Sequence, residues 1–407
     1  MLPDFNGRLR AAAEVIARVG LNLQRGQSLL IAEPYELQGV ARGAEVIVNA
    51  VRAAAGAAGC PEVDVIWGDG ARLRQFAERG DERGFAKLVS AHAAKMQRAI
   101  ASGTALLFLQ SSQPRLMSGL PADRVNRQQR IAWEHFGPVA QQLVQGATNW
   151  TVAPAPIPAW AQSAYADLPS EQRLAALWND VFAALRVDEA DPVAAWAAHL
   201  AALLARRDEL NHRRHTSLRY AGDGTELTLA LPPEHVWCTA CLATKSGVPF
   251  VANLPTEEIF TAPDKDSTSG TARVARPISY GGAVIEGIEL EFNRGRVVRA
   301  VAHVGDDLLQ RLLDTDDGAR LLGEVAIVGN VGGSLSPDLG LSGHKAPPTG
   351  WRNPDRLFHH PLLDENAASH VALGESYGFT SSRPSAPALN RSLVHVDLPL
   401  AVQTELT

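Results

Sequence analysis

The alternation of short apolar runs with longer helical stretches in the first half is the feature that most restricts the fold of this chain. The apolar runs typical of buried strands are residues 28–33, 62–67, 104–110 and 149–154. The segments with helical hydrophobic periodicity are residues 38–58, 84–101 and 123–145. Strands that alternate with helices in this way indicate a mainly parallel sheet covered by helices.

The second half has a different pattern, and a proline-rich segment at residues 153–160, APAPIPAW, precedes the change. Residues 217–231 read as two strands joined by a Gly-Asp-Gly turn at residues 222–224, which predicts a β-hairpin. A further hairpin is predicted over residues 283–304 and a helix over residues 366–374. This part of the chain is therefore expected to be rich in β-strands.

Two helical segments, at residues 170–185 and 191–212, lie between the two patterns. We predict that a domain boundary falls between them. The predicted fold class is α/β, with a mainly parallel α/β domain at residues 1–190. A β-rich α+β domain that carries the metal-binding residues follows at residues 191–407.

Composition excludes several classes of protein. The chain has 407 residues, of which 46% are hydrophobic and 20% charged, as is usual for globular proteins and unlike disordered ones. With 38 Lys and Arg against 44 Asp and Glu, the net charge is -6, so no basic surface for nucleic acid is expected. Three cysteines suit a reducing compartment, and no signal peptide or membrane-spanning segment is visible. We therefore expect a cytoplasmic protein without nucleic-acid or membrane partners.

The signatures of common single-motif enzymes are missing from the sequence. It lacks the G-x-G-x-x-G and G-x-x-x-x-G-K-[ST] nucleotide loops, the H-E-x-x-H zinc motif and the G-x-S-x-G nucleophile motif. Cys238 and Cys241 form a lone C-x-x-C pair, which is interpreted as two strand residues because no second pair accompanies it. Residue types that bind metals are instead concentrated in four segments of the second half: 253–261, 318–328, 362–377 and 392–400.

The last two of these segments each contain an imidazole beside a carboxylate. His395 and Asp397 are two apart in an apolar stretch, so their side chains leave the same face of a strand. Glu365 and His370 flank a predicted helix start with Asn366 as its N-cap, and both can reach one site. Neither pair alone requires a metal, because a strand edge accommodates His395 and a helix N-terminus by itself favours Glu365.

The first two segments add carboxylates. Glu324 lies in the apolar run LGEVAIV, where a carboxylate is costly unless it is paired or bound to a cation. Glu257 and Glu258 are adjacent in an extended segment and point to opposite faces, so one of them is a ligand, and the geometry leaves open which. Three Glu, one Asp and two His then match two divalent cations, of zinc, cobalt or manganese.

These four segments, in this order, resemble the aminopeptidase T and aminopeptidase S family of metallopeptidases. The strings NLPTEEIFT at residues 253–261 and DENAASH at residues 364–370 carry the resemblance most specifically, and it extends to ISYGGAVIEG at residues 278–287. It covers most of residues 160–397 and, more loosely, the first half. The resemblance implies an N-terminal α/β domain, two divalent metal ions in a C-terminal domain, a homodimer, and removal of N-terminal residues from peptides.

The resemblance also implies roles for individual residues. It selects Glu258 over Glu257, and the implied metal ligands are Glu258, Glu324, Glu365, His370, His395 and Asp397. Tyr377 matches a tyrosine near the metals whose phenol could donate to an oxyanion, although a packing role is equally compatible. Glu257 is the candidate general base, although extended geometry points it away from the site. The implied substrates are peptides with a free N-terminus, attacked by a metal-activated water.

Two departures from the family pattern are visible. Residues 329–361 are rich in Gly, Pro and His and predict a surface loop near the active site, whose His344, His359 and His360 could add ligands. Only ten residues follow Asp397, which predicts that the chain ends before a final hairpin of the family.

The sequence leaves two other functions open. One keeps the fold but has a single metal ion per chain, as in a ring-cleaving dioxygenase. The other is a degenerate binding or assembly module without catalysis. Retention of all six ligand positions favours the two-metal aminopeptidase, and the number of ions per chain distinguishes these functions.

Overall fold

The structure, a computed structural model, describes residues 4–328 and 356–407, which divide into two compact units. The described residues of the first unit are 4–200, 240–255 and 356–362. Those of the second unit are 201–239, 256–328 and 363–407. The predicted domain division after residue 190 stays a prediction.

Five of the six predicted helical segments form helices in the structure. In chain order they are α1 Phe5–Val15, α2 Glu45–Ala57, α3 Gly70–Arg79, α4 Glu82–Ala101, α5 Ala122–Val144, α6 Pro158–Ala164, α7 Ser170–Ala184, α8 Pro192–Arg213, α9 Asp306–Leu313 and α10 Pro361–Glu365. Local signals set their ends: Gly80 in the left-handed conformation ends α3, and Asp81 accepts the backbone N–H of Gly84 at the start of α4. Within residues 4–328 and 356–407, no helix is both long and apolar enough to cross a membrane.

The strands are shorter and most lie in the second half. In chain order they are β1 Leu29–Ala32, β2 Val40–Ala41, β3 Val63–Val65, β4 Trp67–Gly68, β5 Ala105–Gln110, β6 Trp150–Pro154, β7 Ser217–Gly222, β8 Thr225–Ala230, β9 Cys241–Ala243, β10 Pro249–Val251, β11 Glu258–Thr261, β12 Ser269–Arg273, β13 Ile278–Tyr280, β14 Ala283–Ile285, β15 Glu289–Asn293, β16 Arg296–Val301, β17 Leu322–Val328, β18 His370–Gly374, β19 His395–Pro399 and β20 Gln403–Leu406.

A four-stranded parallel sheet with the order β3-β1-β5-β6 organises the first unit. Helices connect its successive strands, because parallel pairing requires a crossover connection. In its core, Leu106 and Phe108 of β5 pack with Phe136 and Val139 of α5. The predicted parallel α/β fold of the N-terminal half is confirmed.

One predicted helix of this unit begins later than expected. The prediction started the helix at residue 38, but Val40 and Ala41 form β2, which pairs with β4, and α2 starts at Glu45. Val40 is fully buried and Ala41 nearly so. Pairing and burial of these residues therefore override the helical periodicity of the sequence.

The described residues of the second unit contain two large antiparallel sheets, besides the two-stranded sheet of β13 and β14. The larger has six strands in the order β16-β15-β12-β8-β7-β20, and the smaller has four in the order β11-β17-β18-β19. Both predicted hairpins are present, as β7 with β8 and as β15 with β16. Arg294 and Gly295, at the turn between β15 and β16, both have a positive φ, as a two-residue type I′ hairpin turn requires.

The helix predicted over residues 366–374 is wrong. The short helix α10 ends at Glu365, and residues 370–374 form β18, which pairs with β17 on one side and β19 on the other. Every residue of β18 is buried, so pairing on both sides decides its conformation. Asn366 consequently follows a helix and does not cap the start of one.

Candidate metal centre

The pairing register of the four-stranded sheet places five of the six predicted ligands on one face. Residues opposite each other on paired strands share a face, as do residues two apart on one strand. Glu324, Ala372 and Asp397 are aligned across β17, β18 and β19. His370 is opposite Ala326, two residues along β17 from Glu324.

The same rule places the remaining two strand ligands. Glu258 of β11 pairs with Val328, which shares the face of Ala326 and Glu324 on β17. His395 of β19 pairs with Gly374, two residues along β18 from Ala372. The residues between the charged side chains on this face are small, which leaves room for a ligand above the centre of the sheet.

A β-bulge at Gly323 turns Glu324 toward this face. Leu322 pairs with Leu373 and Glu324 pairs with Ala372, so Gly323 is an extra residue on β17. Without it, a one-residue shift would direct Glu324 to the opposite face. A Cβ at position 323 would clash with the backbone oxygens of Gly374 and Glu375, so only glycine fits.

The ligand atoms form two groups that have one residue in common. In the first, ligand atoms of Glu258, Glu324 and His370 lie within 4.8 Å of one another, and in the second those of Glu324, His395 and Asp397 do. Nε2 of His370 is 3.1 Å from Oε2 of Glu258 and 3.7 Å from Oε1 of Glu324. Two atoms bound to one zinc ion at about 2.1 Å with tetrahedral angles are about 3.4 Å apart, so these spacings suit shared ligation.

The imidazoles are oriented by backbone carbonyls. Nδ1 of His370 is 3.2 Å from the carbonyl oxygen of Ala368, and Nδ1 of His395 is 2.8 Å from that of Glu375. A hydrogen bond from Nδ1–H to a carbonyl leaves Nε2 free of its proton and available as a ligand. In both residues it is Nε2 that faces the carboxylates.

An unsatisfied oxygen marks the interior of the site. Glu258 is 4% exposed, and its Oε2 has no hydrogen-bond partner among the described residues although Nε2 of His370 is close. A buried carboxylate oxygen without a donor is costly unless a cation binds it. Glu324, 5% exposed, lies in an equally buried position on the strand beside it.

The pKa shifts of the carboxylates reflect this crowding. Burial raises the pKa of Glu324 above its ordinary value, against the opposing effect of the nearby imidazole of His370. Burial and the negative charge of Asp397 raise the pKa of Glu365 well above its ordinary value, and Glu365 also shares a hydrogen bond with Asp397. Glu324 and Glu365 therefore resist a further negative charge nearby, whereas His395 lowers the pKa of Asp397 to about 2 despite the burial of that carboxylate.

The pKa shifts of the histidines point in the same direction. Burial opposes protonation of His370, but the carboxylates of Glu258 and Glu324 close to its Nε2 raise its pKa well above the ordinary value. Burial likewise opposes protonation of His395, and Asp397 raises its pKa to about 9. The whole cluster thus attracts positive charge, and its oxygen and imidazole donors fit divalent transition metals.

Glu365 is the one predicted ligand outside the sheet. It is the last residue of α10, is 9% exposed, and interacts electrostatically with Glu258 as well as Asp397. Asn366, the next residue, is fully buried. Its side-chain oxygen accepts the backbone N–H of Glu257 at 2.6 Å, and its Nδ2 donates to Oε1 of Glu365 at 3.4 Å.

Tyr377, predicted as a catalytic residue, lies beside the cluster. Its ring centroid is 4.9 Å from that of His395, and it stacks on Phe379 at 5.4 Å. The ring of Phe260 packs edge-on against Tyr377 and completes a small aromatic wall. Glu257 is 4% exposed, and the two ligand groups do not include it.

The loop histidines are not in the ligand groups. His359 and His360 belong to the first unit, where Ser112 donates to the carbonyl of His359 and the ring of His360 stacks on Trp160 at 4.5 Å. His344 lies outside the described residues. The two ligand groups within the described part of the chain therefore form without a contribution from these histidines.

Tyr220, which was not predicted from the sequence, contacts the backbone of the two strands carrying Glu324 and His370. Tyr220 of β7 is fully buried, and its hydroxyl is 2.9 Å from the carbonyl oxygen of Ala326 on β17 and 3.4 Å from that of His370 on β18. Burial raises the pKa of this tyrosine, so it stays a donor. The signal in the sequence was a tyrosine at an inward position of a regularly alternating strand.

Comparison with known proteins extends over nearly the whole chain. The sequence matches the profile of the thermophilic metalloproteases (M29) over residues 5–336 and 348–405. It is 37% identical over 399 residues to aminopeptidase T of Thermus thermophilus, which covers 97% of this chain and 92% of that protein. It is 32% identical over 404 residues to aminopeptidase AmpS of Bacillus subtilis, with 97% and 93% coverage.

A solved structure gives the same result. Wild-type AmpT from Thermus thermophilus matches with a TM-score of 0.81 and 35% sequence identity. The match covers 97% of this chain and 93% of the other. Fold and sequence comparisons therefore agree.

Proposed function

The chain belongs to the M29 family of thermophilic metalloproteases, and from this premise we propose that it removes N-terminal residues from peptides at a centre of two divalent metal ions. The family resemblance and the α/β fold class predicted from the sequence are confirmed. The predicted enzyme class, a metallo-aminopeptidase and thus a hydrolase of the exopeptidase type, is confirmed as well.

The observation that supports two ions is the sharing of Glu324 between two ligand groups. We assign Glu258, Glu324 and His370 to one ion, and Glu324, His395 and Asp397 to the other. Glu365 joins the site through its contact with Asp397. Four carboxylates in one buried cluster balance the charge of two divalent cations, whereas one cation would leave two negative charges uncompensated.

Divalent ions at this centre would polarise the scissile carbonyl and lower the pKa of water toward neutrality. The side chains of this protein would orient the ligands, donate to the oxyanion and transfer protons. The carbonyls of Ala368 and Glu375 keep the Nε2 atoms of His370 and His395 directed into the site. Tyr377, beside His395, is the proposed donor to the developing oxyanion, and Glu257 remains the proposed general base.

The finer properties of the enzyme have different grounds. The family resemblance supports peptides with a free N-terminus as substrates and a homodimer. The mixed carboxylate and imidazole ligands support zinc, cobalt or manganese, and the low number of cysteines supports the cytoplasm. A broad or leucine-type side-chain preference is part of the same proposal.

The decisive experiment counts metal ions in the purified protein and measures release of amino acids from unblocked aminoacyl substrates. We expect two ions per chain, loss of activity with a chelator, and loss of activity in Glu258→Ala and His395→Ala. Glu289→Ala is the matched control, because Glu289 is an exposed carboxylate of the same unit. One ion per chain would favour the mononuclear enzyme, and a folded protein that binds no ion would contradict the proposal.

A further inference from the structure

Asn366 joins two segments of the metal centre that are far apart in sequence. Its Oδ1 accepts the backbone N–H of Glu257, a residue 109 positions away. Its Nδ2 faces Oε1 of Glu365. One side chain therefore contacts the segment that carries Glu258 and also the carboxylate of Glu365 itself.

The chemistry of the amide fixes its orientation. The backbone nitrogen of Glu257 can only donate, so the atom 2.6 Å away must be the side-chain oxygen of Asn366. The side-chain nitrogen is then the atom directed toward Glu365, and it can only donate. An aspartate at this position could accept from Glu257 equally well but would present a negative oxygen to Glu365.

Because Asn366 is buried, its side-chain amide needs hydrogen-bond partners within the protein. The residue is fully buried, and it lies just beyond the end of α10, where the chain turns toward β18. A buried amide that serves only to complete a turn would not need to meet a carboxylate of the metal centre. We propose that Asn366 is a positioning residue that orients the carboxylate of Glu365 and the Glu257–Glu258 segment for metal binding.

This inference rests on the proposed function, because it assumes that Glu258 and Glu365 bind metal. The competing explanation is a purely structural role, in which Asn366 stabilises the turn and has no effect on the ions. In a variant that still folds, the positioning role predicts weaker metal binding, whereas the purely structural role predicts unchanged metal affinity. Loss of an outer contact that orients a ligand typically weakens metal affinity by about 10 to 100 times.

The test compares Asn366→Asp with the wild type and with Asn390→Asp. Asn390 is an equally buried asparagine of the same unit, and its side chain donates to the backbone oxygens of Gly318 and Gly374. Each metal-free protein is first examined by circular dichroism and thermal unfolding. Cobalt(II) is then titrated in competition with a chelator, and the visible absorption of the bound cobalt is recorded.

We expect Asn366→Asp to bind cobalt about 10 to 100 times more weakly at one of the two sites and to change the cobalt absorption band. Asn390→Asp should unfold at a lower temperature but keep its cobalt affinity and spectrum. If Asn366→Asp does not fold, Asn366→Ala is measured against the same criteria. If neither variant folds without metal, the role is structural and the inference is wrong.

The outcomes separate this inference from the proposed function. A wild-type protein that binds two ions, together with an Asn366→Asp variant of unchanged affinity and spectrum, overturns the positioning role alone. A wild-type protein that binds no cobalt contradicts the metal centre, and the positioning role fails with it.

Discussion

The central strands of the two four-stranded sheets in the described part of the chain are equally buried but differ in what they bury. All six residues of β5, at the centre of the parallel sheet, are buried, and five of them are apolar. All seven residues of β17, at the centre of the antiparallel sheet, are buried too, but Glu324 is among them. One sheet belongs to a conventional hydrophobic core, whereas the other buries carboxylates, which is costly unless positive charge compensates them.

A carboxylate of the first unit shows the other way to bury such a group. Glu33, directly after β1, is fully buried, and its two oxygens accept the backbone N–H groups of Tyr35 and Leu37 at 2.7 and 2.9 Å. Oε2 of Glu258 has no such donor among the described residues. A buried carboxylate that accepts hydrogen bonds from backbone N–H groups indicates a structural role, and a buried carboxylate without such donors indicates a ligand-binding site.

The largest expected effect comes from neutralising the residue that both ligand groups have in common. Glu324→Gln keeps the size of the side chain and removes its charge, so we expect loss of both ions and a fall in peptidase activity of more than about a hundredfold. The metal-free variant should be more stable than the metal-free wild type, because repulsion among the carboxylates decreases. Metal analysis and thermal unfolding measure the two effects.

The matched change in the parallel sheet is Leu107→Ala. Leu107 is a fully buried residue of β5, so its truncation should cost about 2–5 kcal/mol of stability without changing the number of bound ions. If Glu324→Gln retained both ions, the distinction between the two sheets would be lost.

The second prediction concerns the space above the centre of the antiparallel sheet. Ala372 lies between Glu324 and Asp397 in the aligned row, so Ala372→Leu should fill the volume that the ions need. We expect metal affinity to fall at least about tenfold. Ala153→Leu in β6 is the control, because overpacking there should cost about 1–3 kcal/mol and leave metal binding unchanged. Equal metal affinities in the two variants would contradict the assignment.

The third prediction tests the bulge. In Gly323→Ala the new methyl group clashes with two backbone oxygens of β18 and the residue after it, so we expect a loss of about 3 kcal/mol and weaker metal binding. Gly56→Ala in α2 has open space around the new methyl and should be neutral or stabilising by up to about 1 kcal/mol. Chemical denaturation measures both, and a fully stable Gly323→Ala would show that the bulge is dispensable.

The last prediction is a pH dependence of stability in the first unit, with a small change per pH unit. Burial raises the pKa of Glu33 to about 8 from 4.5, despite its two backbone donors. Between these two pH values the folded chain holds a proton that the unfolded chain has released. The contribution of Glu33 to stability is therefore complete below pH 4.5 and declines as the pH rises toward 8.

Glu33→Gln cannot titrate, so it provides the reference. The stability difference between the wild type and Glu33→Gln should shift against the wild type by at most about 1.4 kcal/mol per pH unit over this range. Denaturation of both proteins at several pH values measures the slope. A slope of the opposite sign would mean that Glu33 is ionised in the folded protein.

Much of the fold was predictable because its patterns are local. The apolar run that became β5 and the turn that joins β7 to β8 each specify one conformation without help from the rest of the chain. The segment from Asn366 to Gly374 was not predictable in this way. Its helical signals are local, whereas pairing with two strands that lie elsewhere in the sequence decides its structure.

The candidate site was predictable in its residue types but not in its geometry. The energetic cost of a carboxylate in an apolar strand identified Glu324. The bulge that turns Glu324 toward the other ligands, however, requires the backbone oxygens of Gly374 and Glu375 to lie so close to Gly323 that a side chain there would clash. Which of Glu257 and Glu258 faces the cluster depends on the pairing of β11 with β17. Strand order is a property of the assembled sheet, and no single segment of the sequence contains it.

The distance in sequence between the partners of Asn366 has a consequence for biosynthesis. The contact between Asn366 and Glu257 closes a span of 109 residues, and β19 must pair with β18 before His395 and Asp397 reach their neighbours. The second ligand group, which contains His395 and Asp397, therefore cannot form before β19 has been synthesised and paired. Binding of the metal ions would then require a folded sheet, so that peptidase activity appears only in chains that have folded correctly.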